Sequence, residues 1–329
     1  MSTYEIREYR PGDEHAILAT FNHVFRGPGA SLPPRTLAEW RWQFIENPGG
    51  WRMMLAVTDG VVAAQQAGIG YRAWIEGREC SFSQTLDSMV HPEHRSGLKN
   101  PGLFVQVGSA YIETYGGPRD LAFIGWPNPQ ARRIGKAFLG YRAVHTQSML
   151  GLELDPGAAV DEPTGIERFT EFDERVAELW KRCAIAWGAC VRRDAAFLNW
   201  RFRDHPLARY EMLGVRDSDG ELAGYAVARR ADWPTKGGYV IADWLVRPDA
   251  PEVAELLIRA LEGEARRRSA PGLVALFPEW SPWFDFFQRS GFRVWVGDLT
   301  LGLQIHVPDY SLAWMRDHCW YQLAESDFV

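Results

Sequence analysis

A chain of 329 residues is long for one domain, since domains typically hold about 150 residues and single cores stop growing near 250. Its 36 Lys+Arg against 42 Asp+Glu give a net charge of −6, which supplies no general basic face and argues against nucleic acid as a partner. With 46% hydrophobic and 24% charged residues, wholesale disorder is excluded, and no run approaches the roughly eighteen apolar residues of a membrane span.

Tyr4 to Arg10 alternates as a strand, and Pro11-Gly12-Asp13 ends it with Asp13 placed to cap a helix. That helix carries the stripe Ile17, Phe21, Val24 and Phe25. A second helix runs from Thr36 to about Glu46, and Asn47-Pro48-Gly49-Gly50 stops it. Met53 to Val57 and Val61 to Gly70 flank Asp59-Gly60, the strongest short hairpin signal, and a third strand over Cys80 to Val90 follows Glu76-Gly77. Helical spacing resumes at Leu103, Phe104 and Val107. A buried strand then covers Leu121 to Trp126, a helix follows Pro129 as far as Gly140, and strands lie over Arg142 to Leu154.

Pro156 to Gly165 is a Pro/Gly/acidic stretch, and the same order restarts beyond it. Helices are expected over Phe172–Trp180 and Asp194–Arg203, and a hairpin around Asp219-Gly220. A strand over Tyr239–Val246, a helix through Val253–Leu261 and a strand over Leu273–Phe277 follow. A last helix opens at Ser281-Pro282 and ends at Gly291. The two halves also match residue by residue. Trp40-Arg41 repeats as Trp200-Arg201, Asp59-Gly60 as Asp219-Gly220, and Asp87-x-x-Val90-x-Pro92 as Asp243-x-x-Val246-x-Pro248. Trp126-Pro127 repeats as Phe277-Pro278, and Gly140-Tyr141-Arg142 as Gly291-Phe292-Arg293. Matches in register and in order mark a tandem duplication. The expected organisation is a first domain over 1–155, a linker over 156–166, a second domain over 167–308 and a tail over 309–329.

The first residues, Met1 to His15, hold charges where a signal peptide needs an apolar run. The four cysteines, Cys80, Cys183, Cys190 and Cys319, form no CxxC pair, so a reduced, cytoplasmic chain is expected. His91 and His94 sit in a His-Pro-Glu-His run that Pro92 bars from the helix a zinc pair would use, and no metal is expected. The 15 Trp residues suit core packing or stacking on a sugar or aromatic ligand.

The repeated order resembles the GCN5-related N-acetyltransferase (GNAT) superfamily. The residues that carry the likeness are Leu86-Asp-Ser-Met-Val-His-Pro-Glu-His-Arg-Ser-Gly97 with Gly102-Leu103-Phe104, and Phe123-Ile-Gly-Trp-Pro-Asn128 before a helix that ends at Gly140-Tyr141-Arg142. The resemblance implies an α+β fold of two tandem GNAT-like domains, each a mixed, mainly antiparallel central sheet flanked by helices. It also implies acetyl-CoA or another acyl-CoA as co-substrate, its pyrophosphate held by a turn at a helix start. The physics agrees, because a helix N-terminus offers unpaired N–H groups and glycine lets a ligand approach. Arg95, Ser96, Gly97, Lys99, Gly102 and Leu103 are the residues in that turn, or alternatively form an ordinary strand-to-helix connection. The turn is longer than the family's R/Q-x-x-G-x-G/A, and Pro101 removes one amide; Lys99 could compensate by reaching a phosphate. The second copy, Val246-Arg-Pro-Asp-Ala-Pro-Glu, has no glycine, so it is expected to be a scaffold or a wall of the acceptor site.

By the same likeness, Met89 and Val90 stand where a backbone N–H meets the thioester carbonyl, and Asn128 where the pantetheine arm is bound, unless it only caps the next helix. Asp87 is the carboxylate best placed to face the acceptor as base, or else a structural strand-end Asp; Glu93 is the runner-up. The family's proton-donating Tyr would fall near Lys136, where none exists, and Tyr141 reads as a core position. The expected activity is acyl-CoA-dependent N-acyl transfer, of a group other than aminoacyl, to a small amine such as an amino sugar or amino acid, with no membrane partner; a homodimer stays an option. Two rivals remain: a Fem-type transferase using aminoacyl-tRNA, and a non-catalytic degenerate pair that binds a ligand or partner.

Overall fold

Local chemistry sets where the elements begin. Thr36 opens a helix with a capping box: its side chain accepts from Glu39 N–H at 3.2 Å while Glu39 accepts from Thr36 N–H at 2.6 Å. Ser281 accepts from Trp283 N–H at 3.1 Å with Pro282 next in line. Asp13 departs from its expected role. It stands at the N-cap, but its carboxylate is spent on the Arg7 guanidinium, at 2.7 and 2.9 Å, and on Arg10 N–H. Asp59 and Gly60 both take positive φ, +48° and +77°, the primed turn that matches strand twist.

The computed structural model describes residues 3–26, 33–95, 102–117, 119–155 and 163–328. The first half runs β1 (Glu5–Glu8), α1 (Glu14–Phe25), α2 (Leu37–Phe44), β2 (Trp51–Thr58), β3 (Val61–Ile75), β4 (Arg78–Val90), α3 (Leu103–Tyr115), β5 (Ala122–Gly125), α4 (Pro129–Phe138) and β6 (Arg142–Glu153). The second runs β7 (Ile166–Arg168), α5 (Arg175–Ala184), β8 (Ala189–Val191), α6 (Ala195–Leu198, continued by a π-helical Asn199–Arg203), β9 (Glu211–Arg216) and β10 (Leu222–Ala231). It continues through β11 (Gly238–Val246), α7 (Pro251–Arg267), β12 (Gly272–Ala275), α8 (Pro282–Arg289), β13 (Arg293–Ile305), α9 (Leu312–His318) and β14 (Cys319–Trp320). Apart from β8, α9 and β14, the second half repeats the first element for element. Of the stretch read as a linker, 156–162 lie outside the described residues, and Ile166 already belongs to β7.

The elements gather into two compact units. One comprises Met1–Arg72, Cys80–His145 and Thr300–Leu312; the other comprises Ala73–Glu79, Thr146–Leu299 and Ala313–Val329. In the first, the sheet order is β1-β2-β3-β4-β5, then the last residues of β13, then the first of β6. Its pairings are antiparallel at β1–β2, β2–β3 and β5–β13, and parallel at β4–β5. Met54, Ala64, Leu103, Val107, Tyr111 and Phe123 form the core beneath α3. In the second, the order is β7-β9-β10-β11-β12, then the later part of β6, then the earlier part of β13. Here β11 and β12 are the parallel pair. Each unit is α+β, a mixed, mainly antiparallel sheet flanked by helices. Each is completed by a strand from the other half of the sequence. Ladder hydrogen bonds join backbone to backbone, so either copy's strand can fill the place, as in a domain swap.

Candidate active site

Strands β4 and β5 lie side by side only from Phe82 to Gln84, whose partners are Ala122 to Ile124. The pairing ends there: β5 stops at Gly125, while β4 continues to Val90. Asp87 has φ +52°, a left-handed residue inside a strand, which interrupts the regular extended backbone. Past that pairing Thr85, Asp87, Ser88 and Val90 are half-buried, with Leu86 and Met89 buried between them. The backbone alternates here as well. His91 N–H reaches Ala63 O at 2.9 Å, so Val90 turns its own N–H and C=O to the opposite edge. The Val90 carbonyl there accepts from Arg95 Nε at 3.1 Å.

Asp87 does not stand alone. Its carboxylate is gripped by both Nη groups of Arg35, and its carbonyl accepts from Gln65 Nε2 at 3.1 Å. Arg35 is the residue just before the capped start of α2 and lies 3.7 Å above the Phe21 ring. The sequence reading missed Arg35. Glu93, the alternative base, is exposed in the short helical turn Pro92–His94.

Of the residues expected to hold a cofactor, Ser96, Gly97 and Lys99 lie outside the described residues, as does Pro101. Gly102 is the N-cap of α3, and no side chain caps this helix start. The first turn of α3 holds no Asp or Glu, so among the described residues of that turn no carboxylate stands against the positive helix end. Leu103 itself points into the core, 4% exposed. Asn128 caps α4, its Oδ1 accepting from Ala131 N–H at 2.9 Å, which leaves its NH₂ for any other partner. Lys136 is exposed. Tyr141 packs its ring on Gly135, where a Cβ would come within 2.2 Å of it, and burial pushes its hydroxyl up to about 12. Among the described residues, no group of three or more His, Cys, Asp or Glu could hold a metal, and no helix is long and apolar enough to cross a membrane.

No family model matches the sequence, and no curated protein matches it. Solved structures do. A conserved Enterococcus faecalis protein described as a probable N-acyltransferase superposes with TM-score 0.68 at 13% identity, over 93% of this chain and 73% of that one. Saccharomyces cerevisiae N-myristoyltransferase with bound myristoyl-CoA gives 0.59 at 13%, over 94% and 83%. A tandem GNAT protein from the clavulanic acid biosynthesis pathway gives 0.57 at 16%, over 94% of this chain and all of that one. This is a tandem GNAT fold.

The second GNAT unit repeats the geometry and closes it. Strands β11 and β12 pair only at Tyr239–Leu273 and Val240–Val274, and β11 shifts register just ahead of Asp243. Yet every residue of β11 is buried. Helices α5 and α7 pack on it, and so does a later segment: Cys319 to Ser326 is buried throughout, Trp320 packs on Phe277 and Trp187, and the turn Leu323–Glu325 lies on β11. Asp243 is held by Arg193, with Nη2 to Oδ1 at 2.9 Å, and by the Tyr225 hydroxyl at 2.7 Å, and Arg193 also binds the Glu325 carboxylate. Helix α7 starts with Pro251 and carries Glu252 in its first turn, so one amide is missing and a carboxylate stands where a phosphate would need to approach.

Proposed function

We propose that the chain is an acyl-CoA-dependent N-acyltransferase, with acetyl-CoA as donor and a small amine as acceptor, and that its first unit holds both. The observation that carries this reading is the contrast between the two copies. In the first unit β4 is half-buried past the end of its pairing with β5 and leads to a helix start free of acid; in the second, every residue of β11 is covered. An α3 start of this kind suits a pyrophosphate.

In the reaction the amine nitrogen attacks the thioester carbon, the C–N bond forms, the C–S bond breaks, and the nitrogen's proton ends on the departing thiolate. The Val90 N–H, turned away from β3, is assigned to the oxyanion that develops on the carbonyl. Asp87 is assigned to the attacking nitrogen. Held by Arg35, its carboxylate accepts the amine's N–H and orients its lone pair. Tyr141 is committed to packing on Gly135, so water takes the proton to the thiolate.

Calorimetry with acetyl-CoA tests the reading. One site per chain is expected, together with release of free CoA when an amine is added. Neither heat nor a thermal shift at millimolar acetyl-CoA overturns it.

A further inference from the structure

The second unit shows what its copy of the site accepts. Arg35 and Arg193 each stand immediately before a helix cap, Thr36 and Asp194, and each grips the Asp of the repeated Asp-x-x-Val-x-Pro run. The spacing differs only because the second copy has two more residues between this Arg and its Trp-Arg pair, a stretch that runs into the π-helical turns of α6. In the second unit a further carboxylate, Glu325, sits on Arg193 beside Asp243. Next to it Arg201 holds the carbonyls of Ala324 and Ser326 at 3.0 and 2.9 Å. Arg201 is the repeat of Arg41, which is exposed in the first unit.

Among the described residues of the first unit, no second carboxylate lies on Arg35 beside Asp87. Guanidinium has five N–H donors, and Asp87 takes two of those on Arg35. The Arg35 and Asp87 side chains keep 12% and 8% of their surface in contact with water, against 1% and 0% for Arg193 and Asp243. Arg26 lies close by and gives an N–H to Pro33 O. Burial, with repulsion from Arg35, lowers it from the usual arginine range against the opposing pull of Glu39 and Asp87.

We infer that the acceptor amine of the first unit carries a carboxylate, which docks on Arg35 beside Asp87 as Glu325 docks on Arg193 beside Asp243. The acceptor class is then amino acids or short acidic peptides rather than amino sugars or plain alkylamines. The planar fork of an arginine is the side chain suited to receiving such a group. This inference rests on the acyltransferase reading, and the test separates the two.

Acetyl-CoA binding is measured first by calorimetry on the full chain. CoA release is then followed with glutamate and alanine, with alaninamide and with glucosamine. Acids are expected to exceed alaninamide and glucosamine by at least about tenfold in kcat/KM, which corresponds to one charge-assisted contact. Glutarate, which has carboxylates and no amine, should inhibit competitively against the acceptor. Arg35→Lys should raise KM for the acids and erase their advantage while acetyl-CoA binds as before. If acetyl-CoA binds and alaninamide or glucosamine serves as well as the acids, with no inhibition by glutarate, the carboxylate inference falls and the acyltransferase reading stands. If acetyl-CoA does not bind, both fall. The glutarate result uses the unmodified protein, so it decides the question even if Arg35→Lys folds poorly.

Discussion

Arg35 holds Asp87 from the position just before a helix cap, and Arg193 holds Asp243 from the same position one repeat later. The two pairs share their place in the repeat and differ in approach, through both Nη groups of Arg35 but through Nε and Nη2 of Arg193, and in surroundings: the first borders the half-buried stretch of β4, the second is covered by Cys319–Ser326. Removing the charge at the two positions should therefore have different consequences. Asp87→Asn is expected to lower turnover by about a hundredfold, the lower range for a group acting on a transferred proton, with acetyl-CoA affinity unchanged. Asp243→Ala is expected to cost about 3–5 kcal/mol of stability, because it strips one partner from a buried ion pair. Steady-state kinetics with calorimetry, and urea denaturation, read the two outcomes; equal turnover in Asp87→Asn removes Asp87 from the chemistry.

The start of α3 offers a test with opposite signs for folding and binding. Val105 lies half-buried in the first turn, which holds no acidic residue. A carboxylate there interacts favourably with the helix dipole, by about 0.3–1 kcal/mol, but repels a diphosphate at the same place. Val105→Glu should leave the melting temperature unchanged or slightly raised and weaken acetyl-CoA binding at least tenfold. Unchanged affinity would move the diphosphate away from this helix.

Much of this was readable in the amino-acid order. Asp-Gly turns favour left-handed backbone, and caps favour Ser, Thr, Asp or Asn ahead of a helix, so apart from β7 and β8 the elements from β1 to α8 largely fall where their residues predict. The repeat was readable for the same reason, because Trp-Arg and Asp-x-x-Val-x-Pro are side-chain patterns. The exchange of β6 and β13 was not, since a ladder is made of backbone groups and carries no address. Gly151 and Gly297 show what permits it: a Cβ at Gly151 would lie 2.2 Å from the Trp295 ring, and one at Gly297 would lie 3.0 Å from Met149. Arg35 was missed because the contact with Asp87 spans 52 residues, although sliding Arg35-Thr36 onto Arg193-Asp194 would have exposed it. The last residues, read as a tail, instead form α9 and β14 and supply the core side chains Trp320, Tyr321 and Leu323.

Arg52 and Asp120 form the buried counterpart of these pairs in the first unit. They share two hydrogen bonds of 2.6 and 2.8 Å, and Ser81 Oγ adds a third to Asp120 at 2.6 Å. Their side chains are 4% and 0% exposed. Arg52→Met should destabilise the protein by about 3–5 kcal/mol by leaving Asp120 charged and unpaired. Adding Asp120→Leu should return a substantial part of that loss, since replacing both charges removes the desolvation cost as well. A double-mutant cycle in urea measures it; additive losses would show that the pair is not coupled.

His205 gives the second unit a pH dependence of known sign. Its Nδ1 accepts from the N–H groups of Leu207 and Ala208, at 3.2 and 3.0 Å. Burial, with repulsion from Arg201, Arg229 and Arg209, lowers its pKa from 6.5 to about 3. Between those values the unfolded chain binds a proton that the folded one refuses, so the contribution is complete above pH 6.5 and is lost as pH falls toward 3. The loss in that window is about 1.4 kcal/mol per pH unit. His205→Asn keeps an acceptor for the two amides and removes the titration. Urea denaturation at pH 7 and pH 5 should show the natural chain losing about 2 kcal/mol more than the variant. Parallel losses would mean that His205 takes up its proton in the folded state as readily as in the unfolded one.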